Sequence, residues 1–71
     1  MSNQTLVMSD PNVLGGTPVF SGTRVPIRAL FENLAEGASL EEVLEAYPTL
    51  SREQAVEALR RADALVERSL G

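Results

Sequence analysis

The 71-residue sequence has no cysteine and no histidine. Disulfides are thereby excluded, as are zinc sites of the usual Cys/His kind and the common Ser–His and Cys–His catalytic pairs. Lysine is missing too, since Arg24, Arg28, Arg52, Arg60, Arg61 and Arg68 make up all six basic residues. That absence argues against a phosphate-cradling loop, although Gly15-Gly16-Thr17 and Ser21-Gly22-Thr23 have the glycine content for one. No apolar run is long enough to cross a bilayer, and no basic-then-apolar leader precedes Asp10-Pro11. The expectation is a cytoplasmic protein with no membrane segment.

A single domain of this size buries only roughly 60% of its unfolded surface. Helix packing or self-association must then supply the stability that disulfides or a metal would otherwise add, so a homodimer is expected. The chain also has little room for a pocket of roughly 300 Å3 or more. With its acids on the polar faces of helices, it is read as a non-enzyme with no cofactor, no metal and no small-molecule substrate.

Charge is unevenly spread along the chain. From Leu30 onward nine acids face four arginines, whereas the first 29 residues hold only Asp10 against Arg24 and Arg28. The net charge of −4 disfavours a general coat for nucleic acid and leaves any phosphate-binding region small and built from arginine.

Local signals divide the chain into residues 1–25, a β-hairpin arm, and 26–71, three helices in a helix-turn-helix order. Val19-Phe20 and Arg24-Val25 flank Ser21-Gly22 as a hairpin would, and Leu6-Val7-Met8 has the character of a short strand. Pro26 suits the first turn of a helix on which Ile27, Leu30, Phe31, Leu34 and Ala35 recur at helical spacing, with Gly37 as its left-handed cap. Ser39 to Glu42 is a capping box opening a second, short helix that Pro48 stops. Ser51 to Gln54 repeats the capping pattern and opens a third helix, running to about Ser69, with an apolar stripe of Ala55, Ala58, Leu59, Ala62, Leu65 and Val66.

A short second helix, a tight turn and a longer capped third helix is the geometry by which such domains present a groove-reading helix to DNA. The candidate DNA-binding residues are Ser51, Arg52 and Gln54 at the start of the third helix, with Arg28 steadying the backbone. The same geometry serves in domains that only bind protein, and Glu53 and Glu57 on that helix would repel phosphate. Both readings stand on the residues alone. Arg24 is read as fixing the hairpin onto the helices through local carbonyls or through Glu32 or Glu36.

Asp10-Pro11, Gly15-Gly16-Thr17-Pro18-Val19-Phe20, Ser21-Gly22-Thr23-Arg24-Val25-Pro26, the Gly37-Ala38-Ser39 to Glu42 helix start, and Tyr47-Pro48-Thr49-Leu50-Ser51 leading to Ala55 and Ala58-Leu59 together resemble the antitoxin-like proteins catalogued as domain of unknown function 433. The resemblance spans nearly the whole chain. It implies a mainly α, homeodomain-like three-helix fold with a short N-terminal β-hairpin, commonly dimeric. It further implies the antitoxin half of a two-gene module whose toxin is a PIN-like ribonuclease. The family's glycine-threonine-arginine element falls on Gly22, Thr23 and Arg24, and its tyrosine-proline turn on Tyr47 and Pro48. Phe20 departs from the usual aliphatic, and Ser21 from the basic residue that often precedes the glycine, which removes a positive charge from the hairpin tip.

The expected function is therefore an antitoxin of a type II toxin–antitoxin module: a homodimer that binds its operator DNA and masks its toxin. Nuclease sites are often electropositive, so Glu41, Glu42 and Glu45 on the second helix are the candidate toxin-binding residues. The alternative is a protein-interaction module or scaffold that shares the helix-turn-helix geometry without binding DNA.

Overall fold

The computed structural model describes residues 5–69. Two short strands, β1 (Val7–Met8) and β2 (Val19–Phe20), precede three helices, α1 (Ile27–Ala35), α2 (Leu40–Ala46) and α3 (Arg52–Glu67). The architecture is mainly α with an N-terminal β-hairpin, as expected.

The hairpin's strands are not the two anticipated. β2 pairs antiparallel with β1, Val7 opposite Phe20 and Met8 opposite Val19. Arg24-Val25 is instead the far side of a tight loop, tied back by Phe20 N–H to the Val25 carbonyl at 3.0 Å and by a bridge from Val19 to Pro26. Thr23 holds this loop together: its hydroxyl donates to the Phe20 carbonyl at 2.8 Å and accepts from Val25 N–H at 3.0 Å. Gly22, at φ 76°, takes the left-handed conformation that the turn requires.

Between the strands, Asp10 organises a turn by accepting Asn12 N–H on its carboxylate and Val13 N–H on its carbonyl, both at 2.8 Å. A single 3-10 turn over Leu14–Gly16 follows, in which Leu14 itself sits at φ 51°. A leucine there carries strain of roughly 1–2 kcal/mol, because its Cβ crowds the backbone.

Helix boundaries follow local chemistry closely. Pro26 is the N-cap of α1, one position earlier than anticipated, and both capping boxes form, Ser39 with Glu42 and Ser51 with Gln54. The end of α1 is a Schellman motif: Ala38 N–H donates to the Asn33 carbonyl at 3.0 Å and Gly37 N–H to that of Leu34 at 3.1 Å. Gly37 sits at φ 105°, and a Cβ built there meets nothing within 4 Å. Gly37→Ala is therefore expected to destabilise by about 1 kcal/mol through backbone strain alone, a fall of about 4–8 °C in melting temperature for a domain this small. Thermal unfolding followed by circular dichroism checks it; an unchanged midpoint would contradict the cap.

The core draws on every helix and on β2. Phe20, Val25, Leu30, Val43, Leu50, Ala55 and Ala58 form one buried cluster, with half-buried Ile27, Phe31, Leu34, Leu40, Leu44, Tyr47 and Leu59 packed around it. Alanines at 55 and 58 let α3 approach the body closely. The stripe on α3 does not stay covered along its length, however: Leu65 is 59% exposed and Val66 69%. The apolar pattern on these last turns therefore has nothing among the described residues to pack on.

Candidate functional site

The start of α3 is held by three hydrogen bonds that converge on one residue, Gln54. Gln54 N–H donates to the Ser51 hydroxyl at 3.0 Å, Gln54 Oε1 accepts from Ser51 N–H at 3.1 Å, and Gln54 Nε2 donates to the Ser21 carbonyl at 2.9 Å. Gln54 thus closes the capping box and ties α3 to the hairpin loop. Its amide and the Ser51 hydroxyl are engaged inside the fold, which leaves them less free to read a base edge than the sequence alone implies.

Arg52 is the solvent-facing cation of the set. Its Nη2 contacts both carboxylate oxygens of Glu41, at 2.7 and 2.6 Å, across the gap between the first turns of α2 and α3. Both side chains are exposed, and an exposed pair of this kind contributes at most about 1 kcal/mol and exchanges readily for another partner. The candidate DNA-binding arginine and a candidate toxin-binding acid are thus each other's counter-ion.

Glu42 is partly committed as well, since its Oε1 accepts from Ser39 N–H at 2.7 Å. Glu45 is exposed on the next turn and has no ion pair among the described residues. The acidic surface extends further than α2. A shallow hollow lies between the hairpin loop and α3, walled by Leu6, Ser21 and Gly22 on one side and by Ser51, Glu53, Gln54, Glu57 and Arg61 on the other. Arg61 Nε pairs with Glu57 at 3.0 Å, one turn earlier, and Glu53 at the hollow's edge has no ion pair among the described residues. Glu53 and Glu57 were legible only as charges unfavourable to DNA, because the hollow forms between segments about thirty residues apart.

Arg28 stands apart from the others. It borders a second, mostly apolar groove with Val7, Pro18, Ile27, Phe31 and Glu32, and none of these borders the hollow at α3. Arg24 does not fix the hairpin in the way anticipated: it is exposed and makes no hydrogen bond or ion pair among the described residues, Thr23 doing that work instead. Among the described residues no cluster of three or more acidic residues is placed to hold a metal ion, and no helix is long and apolar enough to cross a membrane.

Known proteins place this geometry in a family. The chain is 49% identical over 49 residues to the uncharacterized protein y4eO of Sinorhizobium fredii (strain NBRC 101917 / NGR234), a stretch that covers 69% of this chain and 22% of that one. It therefore spans about a fifth of that relative's length. The crystal structure of a DUF433 member protein from Anabaena variabilis ATCC 29413 superposes with a TM-score of 0.71 at 29% identity, covering 92% of this chain and 64% of the other. The model of the family described as protein of unknown function (DUF433) matches residues 7–62, from β1 to the middle of α3, and the chain belongs to that family.

Proposed function

We propose that this chain is the antitoxin half of a toxin–antitoxin pair, a homodimer whose acidic α2–α3 surface masks a PIN-like ribonuclease and whose α3 start meets operator DNA. The observation that carries the reading is the set of exposed carboxylates on α2 and in the first turn of α3, Glu41, Glu42, Glu45 and Glu53, set against the cation Arg52 that pairs with Glu41. Such a surface attracts the electropositive approach to a nuclease site and speeds the encounter. DNA contact is confined to the first turn of α3, where Arg52 exchanges Glu41 for a phosphate. A two-fold dimer sets two such turns about one DNA turn apart.

The test is co-purification with the product of the adjacent gene. Glu41→Lys with Glu45→Lys is expected to weaken that complex by at least about tenfold, and Glu42→Gln to weaken it far less, because Glu42 is held in its capping box. A complex indifferent to both reversals would remove this surface from the reading.

A second reading, an interaction module without DNA affinity, is favoured by the engagement of Ser51 and Gln54 within the fold and by Glu53 and Glu57 beside Arg52. Duplex binding separates the two. Affinity that falls steeply with salt supports the operator role, and no affinity at low salt supports the module.

A further inference from the structure

We propose that two copies of this chain meet through the face formed by Leu14 and the groove beside α1, each copy seating its leucine in the other's groove. This deepens the homodimer of the reading above and is independent of its toxin and of its DNA. Leu14 is the first observation: it is 49% exposed and lies outside the buried cluster, yet it is held at φ 51°, where leucine is disfavoured. No contact within the chain's core repays that conformation. The loop is nevertheless fixed, by the Asp10 turn and by Thr17 N–H donating to the Leu14 carbonyl at 3.2 Å, so the side chain is displayed from a rigid base.

The groove is the second observation. Val7, Pro18, Ile27 and Phe31 form its apolar lining, and Thr17, which also lines it, is hydrogen-bonded through its N–H to the Leu14 carbonyl. Arg28 and Glu32 stand on it one helical turn apart, exposed, and neither has an ion pair among the described residues. A two-fold contact presents one patch to itself, so every knob needs a hole and every charge its opposite on the same surface. This face has both: a leucine and an apolar groove, an arginine and a glutamate. A different partner would require only one member of each pair. On this face Arg28 stands beside Glu32, whereas the α2–α3 side carries Glu41, Glu42, Glu45 and Glu53, so two copies approach here without opposing those acidic helices.

Sedimentation equilibrium across a range of concentrations tests the assignment. Leu14→Asp removes the knob while tolerating left-handed backbone, so each subunit is expected to keep its helical circular dichroism while the dimer dissociates at least about tenfold more readily. Arg28→Glu is expected to loosen the dimer to a similar degree, and Arg28→Glu combined with Glu32→Arg to restore it. A wild-type chain that sediments as a single subunit overturns both this surface and the homodimer. A wild-type dimer indifferent to Leu14→Asp and to the charge exchange overturns this surface alone, as does a dimer broken by Leu65→Asp on α3 but not by Leu14→Asp.

Discussion

Phe20→Ala is expected to leave the chain without a cooperative unfolding transition at 25 °C. Phe20 is fully buried and is the largest such side chain among the described residues. It enters from β2 into a cluster completed by Leu30 of α1, Val43 of α2, Leu50 of the inter-helix turn and Ala55 and Ala58 of α3. Truncating a buried phenylalanine costs about 3–5 kcal/mol, transfer and cavity together. A single core in a chain of this length rarely supplies more than about 3–5 kcal/mol in total. The two quantities are of the same size, so the loss consumes the whole margin. Phe31→Ala, at a half-buried position on the rim of the cluster, is the comparison and should leave a folded domain. Urea titration followed by far-ultraviolet circular dichroism decides the matter: a cooperative transition in Phe20→Ala, displaced by less than about 1 kcal/mol, would show that the core tolerates the cavity.

The second large effect concerns Arg52. Arg52→Glu is expected to lower operator affinity by about a hundredfold or more, since each subunit loses a charge-assisted contact of about 1.5–3 kcal/mol and gains a repulsive carboxylate. The salt dependence of what remains should be shallower by about one counterion per subunit. Folding should hardly change. The variant loses an exposed ion pair with Glu41, but an acid in the first turn of a helix interacts favourably with the helix dipole and offsets part of that loss. Glu41→Gln supplies the opposite case, because it frees Arg52 without touching it, and duplex affinity should rise. Mobility shifts that move with neither substitution would take the start of α3 out of any DNA contact and leave the interaction module standing.

Most of the helical framework was legible because its signals are local. Ser39 and Glu42, Ser51 and Gln54, and Gly37 each fix a boundary through partners within a few residues, and all act where the pattern places them. Strand pairing was less so. β1 and β2 have two residues each, too few to show alternation, and the choice of Val7–Met8 over Arg24-Val25 as partner of Val19–Phe20 depends on how the intervening turns close. The stripe on α3 failed in a different way: helical periodicity reports a face but not how many of its turns have a neighbour, so Leu65 and Val66 read like Ala55 and Ala58.

The site was legible as residue types and not as assignments. The pattern that marks Ser51 and Gln54 as a cap is the same one that occupies their polar atoms, and the bond from Gln54 to Ser21 spans 33 positions. Glu41 and Arg52, eleven residues apart, came from separate arguments about separate partners and turn out to neutralise one another. Leu14 carried no signal of its own: Gly15 and Gly16 mark a turn with positive φ and take 65° and 92°, but nothing in Val13-Leu14-Gly15-Gly16 says that this conformation extends back to the leucine.

The exposed end of α3 means that the helix has no fixed length. From Asp63 to Ser69 each residue is exposed, so the rod there is maintained by backbone hydrogen bonding and by little else. A helical segment in that condition lies near the balance point between coil and helix. Its amide protons will exchange with solvent through fraying rather than through global opening, and warming will shorten the rod turn by turn while the body stays intact.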